Sequence, residues 1–202
     1  MDARTLEPLY CLAAQALTLP DYRWLETWRW RLGNIQLDLW LHDEDEALAR
    51  VLLALMQSMP TSDEQHWLLH LSQDYQRLFS PRPIDVTLFP ALQAAAAQWR
   101  YSFAQQAWGL APAFAFMAYL CRTAGEQPAA NVQRHALLTE TLCPFIHATA
   151  HRLQRQATVQ FYQAVGEFLP ALVKRDVAGD DALSAPAELL QTESIAAVPS
   201  GR

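Results

Sequence analysis

Apolar residues recur at three- and four-residue spacing along most of this chain, a pattern that predicts a succession of amphipathic helices. Leu6, Leu9, Tyr10, Ala13 and Leu17 form a first stripe, which Pro20 ends. Asp21 is placed to cap a second helix carrying Trp24, Leu25 and Trp28, with Gly33-Asn34 as its stop. Residues 35–41 alternate apolar and polar side chains and are read as a helical turn. The run His42-Asp43-Glu44-Asp45-Glu46 opens a helix whose buried face is Leu48, Val51, Leu52, Leu55 and Met56. Acids in a first turn offset the positive end of the helix dipole by about 0.3–1 kcal/mol each, so the run is helix-start chemistry rather than a metal site.

Pro60-Thr61-Ser62-Asp63 breaks the chain and caps a helix through Trp67, Leu68, Leu71, Tyr75, Leu78 and Phe79. Ser80-Pro81-Arg82-Pro83 stops it, because neither proline continues a hydrogen-bonded turn. The pattern then predicts a helix over 90–107, punctuation at Gly109 and Pro112, a helix starting at Phe114, and a loop at 125–129. Two amphipathic helices close the pattern, with Pro144 inside the first and a polar hinge at 156–159. Leu138, Leu142, Phe145, Ile146 and Leu153 keep helical spacing in the first, as do Phe161, Val165, Phe168, Leu172 and Val173 in the second. Past Val177, Ala, Asp, Ser, Pro and Gly dominate, so the chain divides into a helical domain over 1–176 and a flexible tail over 177–202.

Composition agrees with an all-α fold. The 202 residues suffice for one substantial domain, 51% are hydrophobic, and only six are glycine. Net charge is −6, with a single lysine (Lys174) among the cations and no basic patch interleaved with aromatics, which argues against a nucleic-acid partner. An acidic surface suits a basic partner. Cys11, Cys121 and Cys143 are odd in number and sit within apolar helical faces, as small buried residues of a reducing compartment do. No apolar run reaches the roughly 18 residues of a membrane span, and the N-terminus lacks the pattern of a secretory signal, so a cytoplasmic location is expected.

Chemistry has few footholds. His66/His70 and His147/His151 are pairs four apart, which places both imidazoles of a pair on one helix face. Two ligands do not close a zinc site, and neither pair has the glutamate that a helical zinc-protease motif needs after its first histidine. There is no Gly-x-Ser-x-Gly elbow, no phosphate loop and no Cys-x-x-Cys pair, so no catalytic residue, metal or cofactor is assigned. Aromatics are plentiful. Trp24, Trp28, Trp30 and Trp40 cluster early, and Trp99, Tyr101, Phe103 and Trp108 fall on more than one face of the helix expected there. Most belong to the core, and the surplus suits a groove for an apolar peptide.

Four segments resemble the TorD/DmsD family of chaperones for molybdoenzymes exported by the twin-arginine route. The stripe over 6–19 before Pro20 is similar to the family's opening helix, and Asp74-Tyr75-Gln76-Arg77-Leu78-Phe79 resembles its Asp/Glu-Tyr-x-x-Leu-Phe signature. Phe116-Met117-Ala118-Tyr119-Leu120 and the block over 142–168, with its Cys-Pro-Phe and Gly-Glu-Phe-Leu, resemble its closing helices. Trp108-Gly109-Leu110-Ala111-Pro112 stands where the family carries a Pro-Asp-His element, so the contacts of that element do not transfer.

The resemblance implies a single-domain helical bundle of the TorD/DmsD type, monomeric or dimeric, without enzymatic activity. Its expected partner is the precursor of an exported molybdopterin oxidoreductase, met through its twin-arginine leader, its catalytic subunit, or both. On this reading the leader's apolar core lies in a groove between helices. Asp74 and Asp85 receive its arginines, and Tyr75, Leu78, Phe79, Phe89 and Trp108 line the groove. Two alternatives belong to other classes: a metal-dependent helical enzyme using the histidine pairs, and a structural assembly subunit that binds a folded partner.

Overall fold

The computed structural model describes residues 3–35, 46–79, 88–103 and 109–184, and every regular element among them is helical. In chain order these are α1 (Ala3–Ala16), α2 (Tyr22–Gly33), α3 (Glu46–Gln57), α4 (Glu64–Phe79), α5 (Leu88–Gln98), α6 (Leu110–Ala124) and α7 (Ala129–Ala136). A π-helical stretch (Leu137–Leu142) leads from α7 into α8 (Cys143–Gln156), and α9 (Gln160–Ser184) closes the series. The expectations for residues 36–45, 80–83 and 185–202 lie outside the described residues. Helix α9 runs through Ser184, past the domain boundary expected at Val177.

Helix starts follow the capping chemistry that the sequence announces. The Asp21 carboxylate accepts from the Trp24 amide at 2.6 Å, and that of Asp63 accepts from the His66 amide at 3.1 Å. Pro112 falls in the first turn of α6, where its missing N–H would have no partner, so α6 starts at Leu110 rather than at Phe114. The helix expected over 90–107 ends at Gln98. Arg100 takes a left-handed conformation (φ 53°), its amide bonds to the Ala97 carbonyl at 3.1 Å, and the Tyr101 amide bonds to Ala96 at 3.0 Å. These are the two bonds of a Schellman stop, built here without the usual glycine. Tyr101 and Phe103 therefore sit on non-helical chain beyond α5.

Two internal prolines leave distinct marks. Ahead of Pro144 the ladder widens to i→i+5, with the Cys143 amide bonding to Leu138 O, so α7 and α8 form one continuous rod with a π turn at the proline. Pro170 lies inside α9 and has no N–H for the carbonyl four residues back, that of Gly166. The Gln154 side-chain amide donates to that carbonyl at 2.9 Å and supplies the missing bond.

The helices share one core. Helix α9 is its axis: Phe161, Tyr162, Val165, Phe168, Leu169 and Leu172 are fully buried, and α9 packs on α8, α3, α1 and α7. The approach to α8 is close because residue 166 is glycine. A Cβ there would lie 2.9 Å from Ala150 O and 3.0 Å from Gln154 N, both backbone atoms. Helices α1 and α6 form the most extensive pairing, and small residues at Ala13, Ala113 and Ala118 keep them close. Glu7 near the start of α1 meets Arg122 near the end of α6, while Tyr10 packs on Phe114, so the two run antiparallel.

At the centre lies a buried polar knot. Arg134 of α7 and Asp176 of α9, each 1% exposed, form an ion pair. The Tyr10 hydroxyl of α1 donates to the same carboxylate, and Arg134 also donates to Asn131 Oδ1 at 2.7 Å. Removing one partner of such a pair strands a buried charge, at a cost of about 3–5 kcal/mol. Two of the early tryptophans belong to the apolar core: Trp24 and Trp28 stack at 5.3 Å, and Phe161 meets both edge-on. Trp30, at 66% exposed, faces solvent.

Candidate functional site

Helix α4 presents the residues of the Asp-Tyr-x-x-Leu-Phe signature on two different faces, as positions one apart must be. Asp74 lies with Leu71 and Leu78 on the buried face and is only 3% exposed. Its carboxylate accepts from the Thr158 amide at 2.9 Å, the Val159 amide at 3.0 Å and the Thr158 hydroxyl at 3.0 Å. These amides precede α9, where no intrahelical acceptor exists, so Asp74 acts as a cap supplied by another helix. Arg77 pairs with the same carboxylate and donates to Gln156 O at the end of α8. Arg152 of α8 in turn donates to Leu78 O at 3.4 Å. Burial pushes the Asp74 carboxyl up, and the hydrogen bonds from Arg77, Val159 and Thr158 outweigh it and hold it below the ordinary carboxylate range.

The signature therefore clamps the hinge between α8 and α9. Asp74, proposed from sequence as a receiver of a leader's arginines, has its acceptors occupied by donors of its own chain. Asp85 and Trp108 lie outside the described residues. Leu78 is buried in the core, and Phe79 is half-buried, with its ring 4.8 Å from Tyr75 and 6.0 Å from Tyr162. The Phe89 ring lies 6.1 Å from that of Phe103.

Tyr75 points the other way, into a groove of about 770 Å³. That volume falls in the roughly 300–1,000 Å³ range of sites that take a drug-sized ligand. Its floor is the antiparallel pair α1 and α6, where Ala14, Ala111, Ala115 and Ala118 present little bulk. Tyr75, Tyr101, Phe103 and Tyr119 supply the aromatic wall. Tyr101 stands 5.2 Å from Phe103 and 5.1 Å from Tyr119, and the Tyr119 hydroxyl donates to Trp99 O at 3.2 Å. The Tyr75 hydroxyl donates to Leu17 O at 3.3 Å, so the aromatic wall is tethered at both ends. Burial raises the pKa of both Tyr75 and Tyr101, which keeps their hydroxyls protonated.

The polar lining is sparse and one-signed. Among the described lining residues the charged ones are Arg31 of α2 and Arg122 of α6. Glu7 holds Arg122 through bonds of 2.6 and 2.9 Å. Gln15 exchanges bonds with Trp24, its side-chain amide donating to Trp24 O at 2.9 Å and its own carbonyl accepting from the indole at 2.7 Å. Gln15 Oε1 and Arg31 Nε are buried with no hydrogen-bond partner among the described residues.

Sequence reasoning named Tyr75 and noted the surplus aromatics Tyr101 and Phe103, but missed Gln15, Arg31 and Tyr119. The stripe itself carried a signal for Asp74, because an acid in register with Leu71 and Leu78 faces the core and must find donors there. Arg31 carried the same kind of signal, since it follows Trp24 by seven residues and Trp28 by three and so shares the buried face of α2. Both rings of His66/His70 sit on exposed α4 positions with centroids 4.2 Å apart, and His147/His151 are exposed on α8. No group of three or more His, Cys, Asp or Glu residues among the described residues is arranged to hold a metal ion. No helix among the described residues is long and apolar enough to cross a membrane.

Fold and groove together define an all-helical protein that keeps an aromatic-walled groove over the α1–α6 pair. Comparison with family models, curated proteins and solved structures finds no match to the chain.

Proposed function

We propose that this protein is a non-enzymatic chaperone of the TorD/DmsD type. It holds a segment of a molybdoenzyme precursor, from its twin-arginine leader or its apo-enzyme body, before export from the cytoplasm. The observation that carries the reading is the groove: an apolar helical floor walled by four aromatic side chains, two on helices and two on the chain that follows α5. Buried aromatics on a rigid frame are the usual anchors of peptide recognition, since little side-chain entropy remains to be lost on binding. Micromolar affinity requires about −8 kcal/mol net, within reach of a few buried client side chains. The helical signature over 74–79 supports the same reading through the frame it builds rather than through direct contact, because it locks the α8–α9 hinge.

The test is titration of the purified protein with a precursor, its isolated leader peptide and the leader-deleted client, read by calorimetry. Ala115→Trp fills the floor of the groove and should abolish binding, while Val132→Glu, on an exposed surface outside the groove lining, should leave it unchanged. Equal loss in both variants, or undiminished binding when the groove is filled, rules the groove out as the client site.

A further inference from the structure

We infer that the groove selects an extended client segment carrying a carboxylate among apolar side chains, and disfavours one flanked by arginines. The inference rests on the reading of the groove as the client site and names the chemistry of what enters it. Its basis is the lining. The protein as a whole is acidic, with a net charge of −6, yet the charged side chains described in this groove are both arginines. Arg122 is compensated by Glu7 across the α1–α6 pair. Arg31 has no acidic partner among the described residues, and its Nε is buried. A guanidinium with no acidic partner among the described residues, set beside an apolar floor, repels a cationic segment and attracts a carboxylate more strongly than it would in open water, because the flanking walls are of low dielectric.

The carboxylate engages the Arg31 guanidinium where that residue lines the groove, and apolar side chains on either side pack on Tyr101, Phe103 and Tyr119. A leader whose apolar core follows twin arginines has the opposite polarity, so the segment expected here belongs to the client's body.

Three fluorescein-labelled decapeptides, identical in their leucine and phenylalanine positions and carrying Glu, Gln or Arg at the centre, test this by fluorescence anisotropy against the full chain. The Glu peptide should bind about tenfold more tightly than the Arg peptide at low salt, and the gap should narrow as ionic strength rises. Arg31→Gln should erase the preference. Thr27→Glu is the second variant: Thr27 is exposed and lines the groove one helical turn from Arg31, so an acid there neutralises the guanidinium without disturbing the core. A preference that survives both variants, or an Arg peptide that binds as well as the Glu peptide, overturns the inference while leaving the groove a client site. Failure of all three peptides and of a leader peptide to bind removes the client-site reading and the inference with it.

Discussion

Replacing Asp74 with alanine should loosen the junction of α8 and α9 without touching the groove floor. The substitution deletes the acceptor of two backbone amides at 2.9 and 3.0 Å and of the Thr158 hydroxyl at 3.0 Å, together with the Arg77 ion pair. Hydrogen bonds to a charged group contribute about 1.5–3 kcal/mol each when the alternative is burial. Water reaches Thr158 and Arg77, both exposed, so the full sum does not apply. Val159 is half-buried, and its amide is the group most nearly stranded. The expected loss is therefore about 3 kcal/mol, close to one strong bond plus partial contributions from the rest. At roughly 2–4 °C per kcal/mol for a chain of this size, Tm should fall by about 6–12 °C. Thermal and urea unfolding followed by circular dichroism measure the loss, and hydrogen exchange should show faster opening at the Thr158 and Val159 amides than in mid-α9. A change below about 0.5 kcal/mol, with exchange at those amides unaltered, would refute the clamp.

The same carboxylate predicts a pH dependence. Its folded pKa is depressed, so its stabilisation is fully present above the unfolded value of about 3.9 and is lost as pH falls through the lower folded value. Acid titration of unfolding free energy should fall more steeply below about pH 4 for the native chain than for Asp74→Asn. Gly166→Ala should cost about 1–3 kcal/mol, because the methyl meets backbone atoms of α8 at 2.9–3.0 Å that cannot turn aside; unfolding midpoints check it. Arg100→Gly should stabilise by about 0.5–1 kcal/mol, since glycine takes the left-handed position of the Schellman stop without steric penalty; a lower urea midpoint than the native chain's contradicts this. Tyr162→Phe should be neutral or slightly stabilising by the same assay, because the Tyr162 hydroxyl is buried with no hydrogen-bond partner among the described residues.

Helix positions, most caps and the apolar faces were legible along the chain because they rest on local rules. A 3.6-residue repeat reveals which side of α4 is buried, and Asp21 and Asp63 each cap an amide only three residues away. Local reading erred where a side chain or backbone took a less common local option. Arg100 adopts the left-handed stop that glycine usually fills, so α5 ended earlier than its alanine-rich sequence suggested.

The roles of Asp74, Gln154 and Arg31 were decided by packing. Register with Leu71 and Leu78 marks Asp74 as core-facing, but the amides it caps lie 84 and 85 residues along the chain, so nothing near it names the helix it serves. Gln154 completes a bond that Pro170 removed, and only the contact of α8 with α9 brings the amide to the Gly166 carbonyl. Tyr75, Gln15, Arg31 and Tyr101 reach one groove from four separate stretches of chain. Periodicity specifies the face on which a residue lies; its neighbour across that face depends on how whole helices settle against each other, a balance of buried area and satisfied polar groups that no short window of sequence contains.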